Sequence, residues 1–211
     1  MTPLEVYNSV AAYQNVNTAT ICDVKAVCKQ YLTCTGKSKT RVLDFDPVAQ
    51  AYAKAQTPRI STPQSVDAIA IDQANTMLIL IEKKTWEKFL DHLSPADRTN
   101  PVSAALAKLQ GYDLQGKYKS TRIICEYITK EADLFLNLPH VFIFLTEFTD
   151  KNPMGGFADM MIQLATTSSQ VDYSIQQPIV EGMRNRLQTI SCSNSRYLNC
   201  MELDAFIKNP F

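Results

Sequence analysis

A hairpin written into residues 66–84 constrains the fold of this chain more than any other stretch. Val66–Ile71 is an apolar run with β-branched residues, and Met77–Ile81 is a second, uninterrupted one. Gln73-Ala-Asn-Thr76 between them has the polar character of a hairpin loop. A continuous apolar run is expected of a strand buried on both faces, so the second strand belongs inside a covered sheet. Asp67 opens the first run, and Glu82 with Lys84 closes the second. In an antiparallel hairpin the start of one strand lies beside the end of the next, which places Asp67 beside Glu82. Strand alternation sends Glu82 and Lys84 to one face, and Ile81 and Lys83 to the other.

The flanking segments supply helices and further strands. Leu4, Val10 and Tyr13 mark a first helix. Ile21, Val24, Cys28 and Tyr31 have helical spacing and predict a second, ending near Cys34-Thr-Gly36. Arg41–Phe45 reads as a short strand or extended linker. Asp46 before Pro47 signals a helix start, and that helix ends before Thr57-Pro58. Trp86–Leu93 reads as a short helix and Ser94–Pro101 as a loop. Val102 to about Thr129 reads as one long helical region that Gly111 and Gly116 bend or interrupt. His140–Thr146 is a third strong strand. Phe157–Ala165 and Ile179–Ile190 read as helices, the second starting near Pro178. Tyr197–Met201 reads as a short strand and Asp204–Lys208 as a last helix. The expected class is α/β, with a central mixed sheet flanked by helices and extra helices at the N- and C-termini. The 211 residues fit a single domain.

Lys plus Arg equals Asp plus Glu at 21 each. That balance excludes a strongly basic coat, so any nucleic-acid contact must come from a local patch. No run is long and apolar enough to span a membrane. The segment Met-Thr-Pro-Leu-Glu-Val-Tyr lacks the basic-then-apolar pattern of a signal peptide, and a cytoplasmic location is expected. Cysteines at 22, 28, 34, 125, 192 and 200 form no Cys-x-x-Cys pair, and His92 and His140 are the only histidines. A zinc site is therefore disfavoured. A Cys192–Cys200 disulfide suits an oxidising compartment; reduced, mostly buried thiols suit the cytosol better.

The ends of the hairpin carry the chemistry. Two adjoining carboxylates repel, and a divalent cation removes the conflict. Mg²⁺ needs only one or two carboxylates, because waters and substrate phosphate oxygens complete its shell. Asp67 and Glu82 are thus candidate ligands for Mg²⁺ or Mn²⁺, with Lys84 to orient a water or to stabilise charge on a phosphoryl group. The triplet Glu82-Lys83-Lys84 is not specific alone, since Asp23-Val-Lys25 has the equivalent acidic form. That rival sits in a segment of helical periodicity with no aspartate before it. The order of elements around Glu82, not the triplet, carries the signal.

This order resembles the PD-(D/E)XK, or restriction-endonuclease-like, superfamily of nucleases, over roughly residues 41–147. The family core runs helix, three strands, helix, strand. The resemblance implies that Asp67 is the first acidic residue, Glu82 the second and Lys84 the lysine. It implies metal-dependent hydrolysis of phosphodiester bonds by an endo- or exonuclease, with DNA favoured over RNA as partner, and it is compatible with a homodimer. Val66 stands where the family pattern has proline. Gln115 with Tyr118 has the wrong spacing for the glutamine motif of some subfamilies, and Glu5 is the candidate for the usual glutamate of the first helix.

Other readings stand beside these. The same scaffold without catalysis gives a binding module acting through protein or nucleic-acid contacts. The charged hairpin end is otherwise a solvated cluster or a structural ion pair on an unrelated α/β fold. Asp72 is either a third ligand or the first residue of the turn Asp72-Gln-Ala-Asn. Lys108, Gln115, Lys119 and Arg122 share one face of a continuous helix and form either a phosphate grip or a solvated surface, with Lys83, Lys88 and Lys117 as extensions. His92 near Trp86 is a candidate for proton transfer. Met160-Met161 and the aromatic strand Phe142–Phe148 read as core.

Overall fold

The computed structural model describes residues 1–13, 18–24, 38–148 and 173–210. Its centre is a mixed sheet of six strands in sequential order: β1 (Thr18–Thr20), β2 (Arg41–Asp44), β3 (Ala68–Ile71), β4 (Leu78–Lys83), β5 (His140–Thr146) and β6 (Ser195–Asn199). β1 to β4 are antiparallel neighbours, while β4, β5 and β6 run parallel. The expected hairpin is present, with Ala68 opposite Ile81 and Ile71 opposite Leu78. Every residue of β4 is buried, as its unbroken apolar run requires.

Helices pack on one face: α1 (Pro3–Ala12), α2 (Asp46–Ala55), α3 (Trp86–Asp91), α4 (Pro101–Gln110), α5 (Leu114–Thr129), α6 (Leu134–Asn137) and α7 (Tyr173–Leu187). Leu43, Ile69, Leu80, Phe142 and Phe144 meet them from the sheet. On the other face Val42, Ala68, Ile79, Ile81 and Ile143 meet Ile21, Val24 and the last helix, α8 (Leu203–Lys208).

Several expectations change. Residues 21–24 form a turn, not the start of a helix. The Thr20 hydroxyl donates to the Asp23 carboxylate, and the amides of Asp23 and Val24 donate to the Thr20 carbonyl. Such local bonds compete with helix formation. The rest of that predicted helix lies outside the described residues, as do Lys25, Phe157–Ala165 and Met160-Met161. Arg41–Asp44 is a strand rather than a linker, and α2 lies in sequence between it and its neighbour β3. The predicted helix 102–129 is two helices. Gly111 ends α4, and the Asp113 carboxylate accepts the Gly116 amide at 2.8 Å to start α5. Gly116 stays helical. α7 is helical from Tyr173, so Pro178 lies in its interior rather than near its start. β6 comes two residues earlier than expected. The sheet extends past residues 41–147 at both edges, through β1 and β6. Cys192 and Cys200 lie in the cores of opposite sheet faces, so no bond joins them.

Asp204 fastens α8 to the chain entering β2. Its carboxylate accepts the hydroxyls of Ser38 and Thr40 and the amides of Lys39 and Thr40. Partial burial pushes this carboxyl up, but the hydrogen bonds outweigh burial and hold it at about 2. The folded value is below the unfolded value of about 4, so the clamp contributes fully above about pH 4 and is lost as pH falls through about 2. Asp204→Asn is expected to flatten the stability–pH curve across that window in urea titrations. A slope equal to wild type would remove Asp204 from the acid response.

Candidate functional site

Antiparallel pairing of Ala68 with Ile81 carries Asp67 alongside Glu82, where the sequence places it. The Asp67 amide donates to the Ile81 carbonyl at 3.0 Å, and the Asp67 carbonyl accepts the Phe45 amide, also at 3.0 Å. β2 and β4 therefore hold the backbone of Asp67 from both sides. Its Oδ2 accepts the Lys83 amide at 2.9 Å. Asp67 and Glu82 are both 0% exposed.

Their charge is met by a residue from a different element. Lys117, in the first turn of α5, places Nζ 2.9 Å from Glu82 Oε1 and 3.0 Å from Oε2. The same ammonium lies 4.0 Å from Asp67 Oδ1 and donates to the Ser65 carbonyl at 3.1 Å. Its side chain is 13% exposed. Thr121, one turn further along α5, accepts the Val66 amide at 3.1 Å. α5 is thus fastened to the residues flanking Asp67 at two successive turns.

Lys84 leaves β4 on the same face as Glu82. Its ammonium lies over three aromatic rings, those of Trp86, Tyr112 and Phe89, at 5.4, 5.5 and 5.7 Å from their centroids. Tyr112, in the link between α4 and α5, lies near both lysines, since Lys117 Nζ is also close, 5.6 Å from its ring centre. Burial, and after it the charges of Glu82 and Asp67, push the Tyr112 hydroxyl well above the usual phenol range. It therefore stays a neutral donor at any working pH.

Other candidates fall away from this centre. Asp72 is at the far end of the hairpin, where its Oδ1 accepts the amides of Thr76 and Met77, both at 2.7 Å. The turn reading holds for it, and the third-ligand reading does not. Glu5 forms a capping box with Thr2 at the exposed start of α1. His92 is exposed at the end of α3, with Nδ1 2.8 Å from the Lys88 carbonyl. Lys83 crosses to the other face and gives its ammonium to the carbonyls of Ile21 and Val24 at 2.9 and 3.2 Å.

The proposed phosphate-gripping face is divided. Lys108 is on α4 and Lys119 on α5, so the break at Gly111–Asp113 removes the shared helical face. Gln115 is held by Ser191 through bonds of 2.8 and 2.7 Å. Arg122 lies 5.8 and 5.7 Å from the ring centres of Tyr118 and Phe135, and pairs with Glu126 at 3.7 Å.

The sequence reading missed Tyr112 as a site residue and gave Lys117 only as part of a surface patch. The signal available was the Asp113 N-cap, which marks a new helix and puts Tyr112 and Lys117 at its start. Among the described residues, no three His, Cys, Asp or Glu side chains converge as metal ligands. Two adjoining carboxylates fit a hard cation that keeps waters, as Mg²⁺ or Mn²⁺ does; they do not fit the cages of zinc or calcium. The chain matches no protein-family model, no curated protein and no solved structure.

Proposed function

We propose that this protein is a metal-dependent nuclease of the restriction-endonuclease-like type, acting on nucleic acid, with DNA the first substrate to test. The observation that carries the reading is the placement of Asp67 beside Glu82, with Lys84 on the same face of β4. The strand pairing supports it: β2, β3 and β4 are antiparallel neighbours, with α2 inserted between β2 and β3, and β5 follows in parallel after intervening helices. Asp67 and Glu82 would hold Mg²⁺ or Mn²⁺, which when bound polarises a phosphoryl group and acidifies a water. Lys84, steadied over three rings on the sheet face that Glu82 shares, would stabilise charge building on phosphoryl oxygens. The Tyr112 hydroxyl adds a neutral donor on the same side.

A second reading has its own observation. Both carboxylates are fully buried and the Lys117 ammonium already pairs with Glu82, which suits a scaffold of this kind that binds without cutting. A cleavage assay in Mn²⁺ with DNA and RNA substrates separates the two. Cutting by wild type is expected to fall by at least about a hundredfold in Glu82→Ala, the upper end of what even outer partners of a metal cost. A marked loss is expected in Lys84→Ala as well. Unchanged cleavage in both variants would take these residues out of any mechanism. No cleavage by a wild-type protein that still binds nucleic acid would favour the binding module.

A further inference from the structure

We infer that Lys117 is an internal counter-cation, which a divalent ion must displace to reach Asp67 and Glu82. The inference rests on the metal-site reading above and adds a device that regulates the site. A lysine ammonium and a hard divalent cation seek the same partners, carboxylate and carbonyl oxygens. Lys117 donates to Glu82 Oε2 at 3.0 Å and to the Ser65 carbonyl at 3.1 Å, and lies 2.9 Å from Glu82 Oε1 and 4.0 Å from Asp67 Oδ1. A metal ion bound to Glu82 would need the same oxygens.

Charge makes the two occupants exclusive. Asp67 and Glu82 together carry two negative charges, which one divalent ion balances. An ammonium left between them would add a third positive charge in a place where both carboxylates are 0% exposed, and where like charges repel with little screening. Lys84 also lies near the Tyr112 ring, 5.5 Å from its centre against 5.6 Å for Lys117, and adds a further cation to the same neighbourhood.

Displacement is mechanically open. Lys117 is tied to the site only through its ammonium at the end of a flexible four-carbon stem. α5 keeps its separate attachment through Thr121, so the ammonium can leave without the helix moving. Without metal, Lys117 offsets one of the two buried negative charges. When metal binds, the lysine, whose side chain is already 13% exposed, is released towards solvent.

Two measurements without an activity readout test this. Wild-type protein is acetylated with an amine-reactive reagent, with and without saturating MnCl₂, and modification at Lys117 is read by peptide mass spectrometry. Lys117 should be slow to react without the ion and several-fold faster with it. Lys83, held by carbonyls on the opposite sheet face, should not change. In parallel, MnCl₂ is titrated calorimetrically into wild type, Lys117→Met and Glu82→Gln. Lys117→Met should bind Mn²⁺ about tenfold more tightly than wild type, within the usual range of coupling between competing ligands, and Glu82→Gln should lose binding. Mn²⁺ binding that depends on Glu82, with no change in Lys117 labelling and no gain in Lys117→Met, overturns the counter-cation and leaves the metal site standing. Absence of Mn²⁺ binding in both wild type and Lys117→Met overturns the metal site and this inference with it. Labelling uses the wild-type chain, so the question is decided even if Lys117→Met does not fold.

Discussion

Lys117→Met is expected to destabilise the metal-free protein by about 3–5 kcal/mol, the cost of removing one partner from a buried ion pair. The loss comes less from the attraction that disappears than from what stays behind. Glu82 and Asp67 would remain inside the fold, 0% exposed, without the ammonium that lies 2.9 Å from one and 4.0 Å from the other. A double-mutant cycle isolates the coupling. Glu82→Gln removes one of the two charges, so Lys117→Met made in that background should cost less by about 1–3 kcal/mol, the range for residues in one network. Urea titration at neutral pH reads all four proteins, and an unchanged m-value keeps the comparison two-state. Lys117→Met within about 0.5 kcal/mol of wild type, the level of an ordinary surface change, would show that the pair is screened and unimportant for stability.

Trp86→Ala should cost a similar amount, about 3–5 kcal/mol, by a different cause: a large cavity in a close-packed core. Trp86 is fully buried. Its indole nitrogen donates to the Met183 sulfur at 3.0 Å, which joins α3 to α7. Its ring meets Phe89 edge-on at 5.7 Å and lies beneath the Lys84 ammonium. Trp86→Phe refills part of the space and keeps an aromatic face under Lys84, so it should lose markedly less. Trp86 is the only tryptophan in the chain, so unfolding must be followed by far-UV circular dichroism rather than by intrinsic fluorescence. Equal losses for Ala and Phe would point to the indole hydrogen bond, not volume, as the main contribution.

The hairpin was legible because its information is local. Strand alternation has a period of two, and a short loop allows few registers, so an apolar pattern suffices to set Asp67 opposite Glu82. Asp72 was also readable, since a turn aspartate bonds its own neighbours. The helix expected at Ile21–Tyr31 failed at its start because apolar spacing does not register the competing Thr20–Asp23 turn. Periodicity likewise carried one helix through Gly111–Asp113, although Asp113 was a start signal in plain view. That error joined Lys108, on α4, to Gln115, Lys119 and Arg122, on α5.

The cation at the carboxylates lay beyond sequence reasoning. Lys117 is 35 positions from Glu82, on a helix whose polar residues are equivalent as sequence. Which of them meets the hairpin depends on the angle and height at which α5 crosses the sheet, and those follow from packing across the whole core. The sequence by itself determined the α/β class, the hairpin register and the pairing of Asp67 with Glu82, because these rest on contacts between near neighbours in the chain. Tertiary structure alone decided that Lys117 meets the pair, that Lys84 lies over Trp86, Phe89 and Tyr112, and that Lys83 serves the opposite face. Charge and ring contacts of that kind act between groups brought together only when the helices close over the sheet.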